Sequence, residues 1–338
     1  MLRRGFPLVL LAVAAIASTA AMAAPLGGPR LAVMKLNRSP LGLEIATLGP
    51  TGGGYRRVLT QRMSKGFGAV GSLAWSADGS LLAYSRRRRD GHRVIVVVPA
   101  TGNGRPRVVP GTRGGEWPVF SPDGRSLAFA RYRVRGRGDS PIPAYESSSV
   151  WIVDLDSGLR RQLTRWGKYL WQYPSSFSPD GSTLLLTRLD FLRSVENEIV
   201  ALRFDGRTSG LLVGEGDEPL YSPDGTKIVF TEWYERRVWS PKRDRWVFRS
   251  TADLYVVNED GSHRRRLTHT PGSIETLGGW DPSGERIAYS QFRGGTGAVM
   301  EINANGTCPR EILSVAGVDY FNPEWQPGSG REAGRIRC

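Results

Sequence analysis

The chain has 338 residues, 40% of them hydrophobic and 23% charged, which is the composition of a folded protein and excludes a disordered one. Its formal net charge is +14, and 41 of its 46 basic residues are Arg, so any electrostatic partner is acidic or anionic. Only 3 His and 2 Cys are present, which argues against a Cys/His zinc site and an imidazole-based catalytic triad, and no cofactor motif appears.

Residues 1–23 read as a signal peptide. Arg3 and Arg4 give it a basic start, residues 5–18 are apolar apart from Gly5, Pro7 and Ser18, and Ala21-Met22-Ala23 satisfies the small-residue cleavage rule. No Cys lies near the cleavage point, so no lipoprotein anchor is expected. The mature protein is expected to be periplasmic or secreted and to keep a charge of about +12 once Arg3 and Arg4 are lost. In that compartment nucleic acid is not an expected partner. An anionic cell-envelope polymer, phospholipid headgroups or an acidic protein fit better.

After a short segment, 24–30, the chain repeats. Leu31–Lys35, Leu43–Leu48 and Arg57–Thr60 read as three strands. One motif then recurs: Trp75-Ser-Ala-Asp-Gly79, Phe120-Ser-Pro-Asp-Gly124, Phe177-Ser-Pro-Asp-Gly181 and Tyr221-Ser-Pro-Asp-Gly225. Degenerate copies follow at Trp280-Asp-Pro-Ser-Gly284 and Trp325-Gln-Pro-Gly328. Ser, Pro and Gly occupy the positions a type I turn favours, so each motif ends one strand and starts another. The strands started are Leu82–Tyr84, Leu127–Phe129, Leu184–Leu186, Ile228–Phe230 and Ile287–Tyr289. Third strands follow at Val94–Val98, Val150–Val153, Ile199–Leu202, Leu254–Val257 and Val299–Ile302. Short fourth strands include Arg161–Thr164 and Arg266–Thr268.

Four antiparallel strands per unit of about 50 residues make a propeller blade. The N-terminus supplies three strands without a first, and Pro323-Glu-Trp325 supplies a first without successors. The expected fold is therefore an all-β, six-bladed β-propeller over residues 31–328. Three N-terminal strands and one C-terminal strand share its closing blade, and 329–338 form a tail. The repeats resemble those of the TolB-like family of WD-repeat-like propellers, and also the propeller domains of prolyl-oligopeptidase-like peptidases. The TolB-like resemblance implies a periplasmic, non-catalytic protein-binding scaffold. About seven residues separate the leader from the first strand, so the additional N-terminal α/β domain of TolB is not expected.

Two long insertions interrupt the second-to-third connections, Tyr132–Ser148 and Trp233–Ala252, both expected on one face of the ring. The first carries Arg133, Arg135 and Arg137. The second alternates Trp233, Tyr234, Trp239, Trp246 and Phe248 with Arg236, Arg237, Lys242, Arg243, Arg245 and Arg249. The run Arg86, Arg87, Arg88, Arg89 belongs to the same face. Arginines interleaved with aromatics suit stacking and ion pairing on a partner, while an extended hairpin with solvated arginines is the structural alternative. Just before the first strands lie Glu116, Asp217, Glu218, Glu275 and Asp319, which could ring the channel mouth as a cation site or pair with neighbouring arginines.

Enzyme signals are weak. There is no Gly-x-Ser-x-Gly elbow, His92 and His269 fall in non-adjacent blades, and Asp154-Leu-Asp156-Ser-Gly158 lacks the distal Glu of a calcium loop, so no metal site is expected. The reading is a monomeric binding scaffold, soluble or membrane-peripheral. Its alternative is a hydrolase or lyase of glycans or anionic polymers that uses the channel-mouth carboxylates. Cys308 and Cys338, the only cysteines, are expected to form a disulfide in an oxidising compartment.

Overall fold

The computed structural model describes residues 30–38, 41–62, 73–88, 90–134, 145–193, 196–204, 210–240, 245–328 and 334–338. Their regular structure is all β. The first strands are β1 (Leu31–Arg38), β2 (Leu41–Leu48) and β3 (Arg56–Arg62). Then come β4 (Ala74–Trp75), β5 (Leu81–Arg87), β6 (Arg93–Pro99) and β7 (Arg107–Val108), followed by β8 (Gly115–Phe120), β9 (Ser126–Val134), β10 (Tyr145–Asp154) and β11 (Arg160–Gln162). The next are β12 (Leu170–Phe177), β13 (Thr183–Asp190), β14 (Glu198–Arg203) and β15 (Gly210–Val213), then β16 (Asp217–Tyr221), β17 (Lys227–Ser240), β18 (Arg245–Asn258) and β19 (Arg265–Arg266). Last come β20 (Ile274–Trp280), β21 (Arg286–Arg293), β22 (Thr296–Asn303), β23 (Arg310–Leu313) and β24 (Val318–Trp325).

Antiparallel pairing joins the strands by fours in chain order from β4 to β23, and β24 pairs antiparallel with β1, so the order β24-β1-β2-β3 completes the pattern. Single parallel bridges, Ala252 to Ile274 and Gly297 to Asp319, are all that joins three of these units into one larger sheet.

The turn motif explains itself in hydrogen bonds. In Ser121-Pro-Asp-Gly124 the Gly124 amide donates to the Ser121 carbonyl (2.9 Å), and Gly124 takes the left-handed φ of 70° that its lack of a side chain permits. The Ser121 hydroxyl donates to Asp123 (2.5 Å) and accepts the Ser126 amide (2.9 Å), while Asp123 accepts the Arg125 amide (3.0 Å). The same set recurs at Ser178 and Ser222. Where the sequence reads Asp281-Pro-Ser283, the roles exchange: Ser283 donates to Asp281 (2.6 Å), which accepts the Arg286 amide (2.8 Å). The hydrogen bond from Ser121 is the main force holding the Asp123 carboxyl below its ordinary pKa, so these aspartates serve the turn.

Two fourth strands, β11 and β19, end earlier than the sequence suggests, while β3 runs longer than expected. At Thr164 and Thr268 the side-chain hydroxyl, in place of a strand carbonyl, accepts the amides of Val150 and Leu254 (both 2.9 Å), which ends the ladder. The core sits between units, not within them. Ile95 and Val97 pack with Leu127 and Phe129, and Leu185 and Ile199 pack with Phe230 and Val257. Ala288 and Val299 pack with Leu31 and Val33, and Met34 and Ile45 with Tyr84 and Val96. Alternate residues of each middle strand therefore face opposite neighbours, as a period of two requires.

Cys308 and Cys338 are disulfide-bonded, with Cα atoms 5.1 Å apart. Nearby, the Ile336 amide donates to Asn303 (2.7 Å) and Arg335 pairs with Glu285 (2.5 Å), so the tail lies along the β21–β22 unit.

Candidate functional site

Two regions stand out. The first is the Trp233–Ala252 insertion, which forms an extended hairpin. Strands β17 and β18 pair over fourteen residues each, from Lys227 opposite Asn258 to Ser240 opposite Arg245. Period-two alternation puts Trp233, Arg237, Trp239, Trp246 and Phe248 at register positions of one face, and Tyr234, Arg236, Arg245 and Arg249 at those of the other. Trp233 is 45% exposed. The ribbon's base is braced: the Tyr234 hydroxyl and Arg266 both donate to buried Asp253, and Arg264 pairs with Glu232.

The remaining predicted arginines are distributed differently. Arg86 is half-buried, and Arg87 and Arg88 are exposed on β5 and just beyond it, with Arg88 4.0 Å from Asp90. Arg133 is exposed, but its guanidinium lies 4.2 Å above the Trp166 ring, so this arginine already has an aromatic partner within the chain. Arg89, Arg135, Arg137 and Arg243 lie outside the described residues, as does the tip of the ribbon.

The second region is a cavity of about 430 Å³ lined by all the strands that lead into a turn motif, β4, β8, β12, β16, β20 and β24. Three of these strands share one device. Trp117, Glu218 and Asn322 each sit three residues before the motif aromatic, each has a left-handed φ (57°, 52° and 49°), and each lines the cavity. At each, two residues oppose one on the partner strand: 117–118 face Phe129, 218–219 face Phe230, and 322–323 face Val33. These are β-bulges, which re-aim side chains, and the left-handed backbone at non-glycine residues is a concentrated source of strain.

Of the five carboxylates expected at the channel mouth, only Glu218 lines the cavity. Glu116 is buried against Arg93 at 3.1 Å. Asp217 accepts the Tyr173 hydroxyl, and burial pushes both groups above their ordinary pKa values. Glu275 is fully buried and accepts Gln291 Nε2 at 2.9 Å. Asp319 stands opposite Leu36 in the β24–β1 ladder. The carboxylates therefore do not gather into a ring. The second carboxylate of the cavity is Glu324, on β24. Burial, with the charges of Asp217 and Glu324 adding to it, pushes the Glu218 carboxyl up to about 8. Burial likewise pushes Glu324 up to about 8. Among the described residues no group of three or more His, Cys, Asp or Glu is placed to hold a metal ion.

No protein-family model matches the chain. An uncharacterised protein of Agrobacterium fabrum is 29% identical over 222 residues, covering 64% of this chain and 68% of that one. The crystal structure of TolB from Acinetobacter baumannii matches with a TM-score of 0.66 at 20% identity, over 89% of this chain and 67% of that one. A TolB structure from Agrobacterium tumefaciens matches at 0.59 and 18%, over 88% and 91%. The chain has the fold of a TolB-like β-propeller.

In this TolB-like propeller, Glu324, Trp75, Trp117 and Asn322 are site residues that the sequence reading passed over. A signal for them existed. Pro118, Pro219 and Pro323 each precede a motif aromatic by two residues, and a proline repeated inside a strand marks a bulge. Among the described residues, no helix is long and apolar enough to cross a membrane.

Proposed function

We propose that this TolB-like propeller is an exported, non-catalytic scaffold. In this reading it binds an acidic protein or an anionic envelope polymer through the β17–β18 ribbon and the arginines on the same face. Residues 1–23 are the export signal, 24–30 a short lead-in, and 329–338 a tail. Residues 31–328 close as six blades, with β24 and β1–β3 sharing the last. Ring closure is supported by the Trp75 indole donating to the Glu324 carbonyl (2.9 Å) and by Gln326 Nε2 donating to the Gly79 carbonyl (2.8 Å). Both bonds join strands at opposite ends of the chain. With the leader removed, the protein works in the periplasm or outside the cell.

The observation that carries the function is the ribbon. Its strands continue well past the stretch of β17 that faces β16, and the segment carries five arginines, Arg236, Arg237, Arg243, Arg245 and Arg249, in a chain already rich in positive charge. Exposed Trp233 stands at the ribbon's root. The enzyme alternative is weaker, because Glu116 is tied to an arginine and Glu275 is sealed in the interior. The test is affinity capture from an envelope extract, comparing the wild type with a variant whose Trp233–Arg249 segment is replaced by a tight turn. The expected result is loss of a salt-sensitive partner from a variant that melts normally. Retention of that partner by the shortened variant contradicts the proposal.

A further inference from the structure

The chain carries 46 Lys and Arg, yet among the described residues none of them, and no His, lines the cavity. Its lining carboxyl groups are those of Glu218 and Glu324, and no ion pair to either is found among the described residues. Four tryptophans, Trp75, Trp117, Trp280 and Trp325, share the lining. Ser175 also lines it, and its buried hydroxyl has no hydrogen-bond partner. A chain this basic can neutralise buried carboxylates easily, as it does at Glu116 with Arg93 and at Glu301 with Arg286. Leaving two carboxyls without a cationic partner in an aromatic-lined space keeps a place open for a positive charge brought from outside.

We propose that the axial cavity binds an organic cation, with an ammonium or amidinium head held by Glu218 and Glu324 and an apolar body packed among Trp75, Trp117, Trp280 and Trp325. Aromatic faces attract such cations through their quadrupoles, and carboxylates supply charge-assisted hydrogen bonds. Ser175 offers a further hydrogen bond. The volume, about 430 Å³, is within the ordinary range for small-ligand sites. Access is provided where the exposed prolines of the turn motifs, Pro122, Pro179 and Pro223, line one end. The bulges at Trp117, Glu218 and Asn322 hold left-handed backbone at the cavity wall, and strain of this kind gathers at binding sites. This site is separate from the ribbon, and neither depends on the other.

Without a ligand, both carboxyls hold their protons at neutral pH. The groups acting on Glu218 are Asp217 on its own strand and Glu324 on β24, both of which disfavour its ionisation, and Tyr173 of β12 engages Asp217. Beside Glu324 the Trp75 backbone amide favours the ionised form. A bound cation ionises the carboxyls, so its binding releases protons and strengthens as pH rises.

The test is calorimetric titration of the intact mature protein with benzylammonium chloride, with benzyl alcohol as the uncharged counterpart and calcium chloride as an inorganic cation, at pH 6.5 and 8.5 in buffers of different ionisation heat. Benzylammonium is expected to bind one per chain, about tenfold or more tighter than benzyl alcohol, and to tighten about tenfold between the two pH values with proton release to the buffer. Glu218→Gln and Glu324→Gln should each weaken it by about tenfold while melting no lower than the wild type. Wild-type tryptophan fluorescence should respond to benzylammonium and not to benzyl alcohol, a readout that needs no variant to fold. Equal affinity for the ammonium and the alcohol, undiminished binding in both Gln variants, or binding of calcium without any binding of benzylammonium overturns the proposal.

Discussion

Strands β16 and β17 are consecutive in one four-stranded unit, joined by a single Ser-Pro-Asp-Gly turn, and they carry opposite chemistry. Glu218 on β16 lines the axis among tryptophans, with its carboxyl held neutral by burial. Arg236 and Arg237 on β17 lie fifteen or more residues further along, beyond the stretch that β16 covers. The difference is one of surroundings. At the cavity the strands leading into the turn motifs surround Glu218 and leave it half-buried, so a charge there is disfavoured unless something pairs with it. At the ribbon's root Trp233, Glu235 and Ser250 are exposed to water, a setting in which arginines cost little and act at long range. One blade can thus present a site for a cation at its inner edge and a site for an anion at its outer extension.

The largest expected effect strikes the inner side alone. A Cβ on Gly278 would meet the Pro323 carbonyl oxygen at 2.1 Å and that of Ala288 at 2.8 Å, backbone atoms that cannot step aside. Gly278→Val should cost more than about 3 kcal/mol, read as a large fall in the denaturant midpoint. A near-normal midpoint would mean that β20 and β24 do not pack this closely.

The tail is a third place that should leave both regions untouched. Cys308→Ser with Cys338→Ser opens a 31-residue loop and should lower stability by about 3 kcal/mol, without altering partner capture or benzylammonium affinity. A change in either binding readout would show that the tail belongs to a site.

Glu218→Gln separates charge from shape at the axis. The native carboxyl is raised from an ordinary value of 4.5 to about 8, so the folded state binds more protons than the unfolded state between those limits, and wild-type stability declines as pH rises through that window. Gln does not titrate. Its advantage over the wild type should be small near pH 4.5 and grow steadily up to pH 8.5. A constant difference between the two melting temperatures across that range would contradict the burial of this carboxyl.

The smallest effect on stability belongs to the ribbon. Reversing the charges of Arg236, Arg237, Arg245 and Arg249 to Glu should move stability by no more than about 0.5 kcal/mol, while weakening partner binding and flattening its salt dependence. Unchanged binding would remove the ribbon from the interface.

Much of the fold was legible because each Ser-Pro-Asp-Gly turn closes its own hydrogen bonds within six residues, so a local pattern carries a local structure. Even the Asp281-Pro-Ser283 copy keeps them by exchanging roles. The early ends of the fourth strands were not legible, since Thr164 and Thr268 satisfy amides by side chain where the alternation alone suggests a continuing ladder. At the cavity, Glu218 was found and Glu324 was not. The expected carboxylates were those just before the first strands, whereas Glu324 stands inside β24, next to the motif aromatic Trp325 and past the bulge at 322–323. Glu116 and Glu275 occupied plausible sequence positions, but their fates were decided by Arg93 and Gln291, contributed by other strands.

The central claim is that a macromolecular partner engages the ribbon and leaves the axis free. Hydrogen–deuterium exchange on the wild-type protein, alone and with the captured partner, tests it directly. The account predicts new protection along Lys227–Ser240 and Arg245–Asn258, with exchange in β4, β8, β12, β16, β20 and β24 unchanged. Protection of those six first strands and their turns, with the ribbon exchanging as before, would contradict it.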